Sequence, residues 1–210
     1  MGLHWYHYLA FSSLAICLSA CLFHVVRLIR LGRPTDLSKQ AGALTPAVLY
    51  AFTGAMSPAR KESAMLHLPT YFAGIVYHMG TFLSLILFIF ISMDLWPGKM
   101  LALMLAGCLF IAFICGSGIL LKRIALEKIR ALSHPDDYIA NLLVTLFQFF
   151  SAIVLLDQQW RIVYYIGFSL LMLYLPVGKL KHTVYFFAAR YLLGFHFGWR
   201  GVWPPRKVKI

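Results

Sequence analysis

The chain has 210 residues, of which 61% are hydrophobic and 12% charged. Soluble domains carry about 25% charged residues, and so short a chain lacks the polar surface to cover this much apolar material in water. A water-soluble globule is therefore excluded, and an all-α integral membrane protein remains. The net charge of +12 raises nucleic-acid binding. The basic residues, however, lie between apolar segments rather than in one patch, so no nucleic-acid partner is expected.

In chain order, the N-terminus "MGLHWYHYLA" lacks the positive region and cleavage pattern of a signal peptide, and Tyr6 stands where a myristoylation motif needs Ser or Thr. It reads as the start of a retained first span, 5–26. A long polar connection, 27–66, follows. Thr45-Pro46 and Ser57-Pro58 are helix-start signals there, predicting one or two short helices at the membrane surface. Further spans are predicted at 68–93, 99–121, 138–156 and 160–181. The connections "MDLWPGK" and "LDQQWR" each pair a turn with an interfacial Trp. Cys17, Cys21, Cys108 and Cys115 lie inside apolar segments without metal-type spacing and read as small buried hydrophobes. A basic aromatic tail, 186–210, follows a transmembrane domain of 1–185.

Lys and Arg fix the expected orientation. Seventeen of the nineteen fall in the first connection, the third connection and the C-terminal end, and only Lys99 and Arg161 fall in the other two. The positive-inside rule then predicts a five-transmembrane-helix bundle in the cell inner (cytoplasmic) membrane, N-terminus outside and C-terminus cytoplasmic.

Among eight histidines, His4, His7 and His134 read as wet surface residues, and His24 as a residue reaching the interface. His78 lies inside the second span with no charge from His67 to Asp94, and an ionisable group at that depth points to function. Gly74 is one turn before it and Gly80 two residues after, leaving room for a flat ligand or suiting plain helix packing. His182 closes the fifth span behind Lys179 and Lys181. At 1.5 Å per residue, His78 is roughly 24 Å from Asp94 and His182 roughly 36 Å from Asp157, a mismatch of about 12 Å. Tilt and a kink at Pro176 would absorb part of it. His67, at about 40 Å from Asp94, matches His182 better. Geometry alone leaves both His78 and His67 as partners for His182.

"VYHMG" at 76–80 and "LPVGKLKH" at 175–182 resemble the haem-ligand motifs of the respiratory nitrate reductase gamma-subunit superfamily of cytochrome b membrane subunits. "ALSHPDDY" at 131–138 is more similar to the DsrM and heterodisulfide reductase-type branch. "LLKR" at 120–123, ending the third span, and the basic C-terminus agree with that pattern. The resemblance implies one haem b near the cytoplasmic side, with His78 and His182 as axial ligands of its iron; the depth arithmetic keeps His67 as a weaker alternative to His78, and Gly74 and Gly80 are the glycines that would leave room for the ring. The nitrate-type pattern places a second ligand pair at positions occupied here by Phe88 and Tyr164. Neither can serve in a bis-histidine site, so no second haem is expected. A second pair of His67 with His196 would put His196 some 57 Å from the outer end of the last span, beyond a bilayer core of about 30 Å.

The expected function is that of a b-type cytochrome and membrane anchor in a respiratory oxidoreductase complex. It would be a non-catalytic subunit passing electrons between membrane quinone (menaquinone or ubiquinone) and a cytoplasmic iron–sulfur partner subunit. The chain has no cysteine set for a cluster of its own. Membrane lipid is the other expected partner, reached by the basic tail. The alternative is a haem-free polytopic membrane protein, either a transporter component or a structural assembly subunit.

Overall fold

A computed structural model describes residues 4–32, 36–60 and 65–205. All regular structure among the described residues is helical: α1 (Trp5–Arg30), α2 (Leu44–Phe52), α3 (Leu68–Ser92), α4 (Lys99–Ala125), α5 (Glu127–Ala131), α6 (Pro135–Leu156), α7 (Arg161–Tyr174) and α8 (His182–Trp199), with short 3-10 turns between some of them. Helices are what an apolar medium demands, because each satisfies its backbone polar groups internally. Four of them, α1, α3, α4 and α6, are long and apolar enough to cross a membrane. A fifth span exists if the broken pair Gln158–Tyr174 and Lys179–Trp199 is counted as one. These apolar helices are those of a multi-pass membrane protein in contact with lipid.

The chain divides into two units. The first comprises residues 1–20 and 69–180, and α6 is its central element, burying residues from Asp137 to Leu155. Its neighbour α4 offers a stripe of small side chains, Ala102, Ala106, Ala112 and Gly116, on the buried face. Small residues let membrane helices approach closely, which is where their packing energy comes from. At Gly116 a side chain would strike the Tyr77 ring and lie 2.6 Å from Thr145 Oγ1, and at Gly80 it would strike Ala112. Three helices thus interlock at these two glycines.

The two ends of this unit are tied differently. At one end the Arg161 guanidinium lies 4.6 Å from the centre of the Trp96 ring, and Trp96 Nε1 donates to Asp94 at 2.8 Å. The second and fourth connections therefore meet. At the other end Lys122 donates to Thr70 at 2.7 Å, and Arg123 to Ser133 at 2.8 Å. His134 and Asp137 reciprocally cap α6, with Pro135 at its first position.

The second unit comprises residues 21–68 and 181–210. Its centre is the crossing of α2 and α8. The sequence "GFHFG" puts Gly194 and Gly198 four residues apart on α8, and Ala47 and Ala51 repeat that spacing on α2. A Cβ at Gly194 would lie 2.5 Å from Val48 Cα, and one at Gly198 would lie 2.5 Å from Ala47 Cβ. Ala47 and Ala51 are fully buried. The end of α8 is held by Ala41 N–H donating to Trp199 O at 2.8 Å, Trp199 Nε1 donating to Ser38 O at 2.8 Å, and Arg200 pairing with Asp36 at 2.8 Å.

Several expectations change. The fifth span, expected as one helix over 160–181, ends at Tyr174, because Pro176 carries no N–H and clashes with the preceding turn. Of the tail expected at 186–210, residues 186–199 belong to α8 and 206–210 lie outside the described residues. Thr45 lies inside α2, whose N-cap is Ala43. His7, expected to be wet, is buried against Tyr165 at 4.7 Å between ring centres. Of the cysteines only Cys17 is buried, and Cys108 is exposed.

Two measurements follow. Gly116→Leu is expected to lower stability by about 1–3 kcal/mol through overpacking, whereas Gly107→Ala, whose Cβ meets nothing within 4 Å, is expected to leave the melting temperature no lower than that of the wild type. The Ser38 hydroxyl and N–H, with Arg200 beside them, hold the Asp36 carboxyl below the usual carboxylate range. A depressed folded-state value means the stabilisation is complete above roughly pH 4 and is lost as the pH falls through that depressed value. Asp36→Asn should remove this acid-dependent part of a melting profile taken across that interval.

Candidate functional site

His78 lies near the middle of α3, ten residues after Leu68 and fourteen before Ser92. Its ring is exposed on the surface of the fold. Nδ1 is 2.6 Å from the carbonyl oxygen of Gly74. A carbonyl can only accept, so Nδ1 carries the proton, and the neutral ring keeps its lone pair on Nε2. Among the described residues Nε2 has no hydrogen-bond partner. A Cβ at Gly74 would meet nothing within 4 Å, so space lies open on the turn that carries the ring. Gly80 instead faces Ala112 and Gln148 in the interior. Of the two glycines expected beside a ligand, Gly74 borders open space and Gly80 serves packing.

The turn that carries His78 is held rigidly from behind. Gln148 Nε2 donates to Tyr77 O at 2.8 Å and to Thr81 Oγ1 at 2.9 Å, and Thr81 Oγ1 donates to Tyr77 O at 2.8 Å. Tyr77 OH donates to Asn141 O at 3.0 Å, with Thr145 Oγ1 nearby at 3.3 Å. These bonds hold the backbone of the turn, while the ring itself is oriented by the Gly74 carbonyl. Tyr77 belongs to the "VYHMG" motif but was given no role of its own, and Gln148 was not singled out, although it is a lone amide inside an apolar run and such a residue has to find a partner in lipid.

Phe88 and Tyr164, the positions singled out for a second ligand pair, do meet. Their ring centres are 6.4 Å apart. Phe88 stacks on Phe168 at 3.4 Å and 7°, and Tyr164 stacks on Phe147 at 5.7 Å and 21°. All four side chains are buried, so this region of the first unit is filled with aromatic rings.

The end of α7 is tied to the start of α6. After Tyr174 the chain closes a tight turn, Gly178 N–H donating to Tyr174 O at 2.9 Å. The Tyr174 ring lies where a Cβ at Gly178 would be, so only glycine fits. The Tyr174 hydroxyl meets the Asp136 carboxylate, and Lys179 Nζ meets Asp137, which also accepts the His134 N–H at 2.9 Å and lies 3.6 Å from Arg123. "SHPDDY" and "LPVGK" are thus clamped together by two adjacent acids, a pairing that sequence spacing does not reveal. Lys179 counted toward topology and is also the counter-ion of a buried carboxylate.

His182 opens α8 in the second unit with its ring exposed. One turn later Tyr185 OH lies 3.2 Å from Nδ1 of His24 on α1. His67 is exposed and lies in the turn just before α3, at its end rather than within the apolar helix. The depth arithmetic for His182 assumed a straight fifth span and does not survive the break at 175–178. Among the described residues no group of three or more His, Cys, Asp or Glu is placed to hold a metal ion by itself.

Comparison with protein-family models, curated proteins and solved structures finds no match to this chain.

Asp137→Asn leaves Lys179 and Arg123 without their shared carboxylate. The expected loss is about 1–3 kcal/mol, less than for a fully buried pair because solvent reaches the lysine. Chemical denaturation of the detergent-solubilised protein measures it.

Proposed function

We propose that this chain is a b-type cytochrome membrane-anchor subunit of a respiratory oxidoreductase complex. It passes electrons between membrane quinone and a cytoplasmic iron–sulfur partner subunit through one haem b, with His78 and His182 as the residues that would hold the iron. The observation that carries the reading is the His78 imidazole. It stands in mid-helix on an exposed face, with its tautomer set by the Gly74 carbonyl and its Nε2 lone pair unengaged. In lipid such a nitrogen is costly to leave unpaired, and iron ligation is a use that fits the tautomer. The open space at Gly74 suits a flat ring.

When bound, a bis-histidine haem supplies a one-electron centre without an open coordination position. The chain contributes the rest. Gly74 orients the His78 ring, its carbonyl accepting from Nδ1 so that Nε2 faces outward. Gln148 and Tyr77 keep the turn beneath it from moving. Asp136 and Asp137 hold Tyr174 and Lys179 at the end of α7. Basic residues of the connection at 122–130 and of the C-terminal segment would meet the partner subunit on the cytoplasmic side, given N-terminus outside and five spans. Quinone would be menaquinone or ubiquinone drawn from the bilayer.

The protein extracted from membranes of a haem-sufficient host should give one haem per chain in a pyridine haemochrome assay. His78→Ala should lose it, and His67→Ala should retain it. Gly74→Leu should lower haem occupancy while leaving helicity unchanged, because its side chain enters open space rather than the core. A folded wild-type protein without a Soret band would return the haem-free transporter or assembly reading, and full occupancy in His78→Ala would remove His78 from the site.

A further inference from the structure

The two units share charge very unevenly. The second holds twelve of the nineteen Lys and Arg but only two of the seven Asp and Glu, a net +10 of the chain's +12. Yet α2, at its centre, carries no charged residue at all. The close crossing of α2 and α8 at their small residues brings the two backbones together and leaves the larger side chains to either side as walls. Val48, Leu49, Phe52, Tyr191 and Phe195 line an apolar groove of about 380 Å³.

Phe195 also lines a second cavity, of about 470 Å³, whose other walls include Asp36, Ser38, His196 and Arg200. The two cavities are therefore neighbours, one apolar and one polar. Arg200 uses a single nitrogen, Nη1, for Asp36 at 2.8 Å, for His196 Nδ1 at 2.9 Å and for the His196 carbonyl at 3.2 Å. Among the described residues its Nε and Nη2 make no hydrogen bond, so donors remain beside the polar cavity. A guanidinium held this way is suited to a phosphate.

We propose that this groove binds one anionic phospholipid, its phosphate received by Arg200 with His196 and an acyl chain laid along α2 between Leu49 and Phe195. An amphiphile matches a site that is cationic at one end and uncharged at the other. An acidic protein segment would need positive charge along the whole groove, and α2 offers none. The unit's positive field draws anionic headgroups to the membrane-facing protein and disfavours zwitterionic ones. The site stands independently of the haem reading, since none of its residues is a proposed ligand and its readout is lipid.

Full-length protein in nanodiscs of equimolar phosphatidylglycerol and phosphatidylcholine is released into native mass spectrometry, and the retained lipid is counted. Wild type should keep one phosphatidylglycerol in preference to phosphatidylcholine. Arg200→Gln should lower that retention about fivefold, the worth of one basic residue near the lipid surface, and Leu49→Gln should lower it as well. Asp36→Asn, which frees Arg200 from its carboxylate, should hold retention level or raise it. Asp36→Asn losing lipid in step with Arg200→Gln would overturn the proposal, because the pair would then be only structural. Equal retention of both lipids, or unchanged retention in Arg200→Gln, would overturn it too. So would full displacement by soluble glycerol phosphate, which would mark an anion site without chain recognition. If polyglutamate bound in an Arg200-dependent way while phosphatidylglycerol was not selected, the face would be a protein-docking surface instead.

Discussion

Tyr77 is the side chain on which the first unit depends. Its ring occupies the space above Gly116, its carbonyl receives both the Gln148 amide and the Thr81 hydroxyl, and its hydroxyl reaches the backbone of α6 at Asn141. Three helices are registered through one residue. In an apolar medium there is no hydrophobic drive between helices, so close packing over glycine and polar bonds of this kind must supply the specificity. The neighbouring residue, His78, inherits the rigidity. The ring that faces outward is mounted on a turn held from within by Gln148 and Tyr77.

The same economy operates at the end of the unit where α6 begins. Asp136 and Asp137 sit in the first turn, where a carboxylate is favoured by the helix dipole and closes the cap with His134. They also hold Tyr174 and Lys179 across the gap. One short acidic pair thus starts one helix and fixes how another ends. The break after Tyr174 follows from Pro176 and Gly178, and the acids hold the residues on either side of it, Tyr174 and Lys179.

Much of the architecture was legible before any coordinates. The starts and ends of α1, α3, α4 and α6 fall within a few residues of the spans read from hydropathy, because apolar run length is a direct consequence of the medium. The pairing of short connections at one end followed from charge alternation and is seen in Arg161 over Trp96. What was misread depended on local competition. A proline kink was expected to bend a helix that in fact stops, and His7 was assigned to water although aromatic neighbours from α7 cover it. Gly74 and Gly80 were both read as leaving room for a flat ligand or suiting helix packing, yet one borders open space and the other lies under Ala112.

Composition by itself determined that this chain is a bundle of apolar helices with its positive charge gathered in particular connections, since the solvent must be matched residue by residue along the chain. Tertiary structure alone decided that two acids clamp the break, that an amide buried in the bundle stiffens the turn bearing His78, and that α2 and α8 cross at four small residues to open a groove beside Arg200. Those relations join residues far apart in sequence through contacts only a few ångströms long, and spacing along one chain carries no record of them.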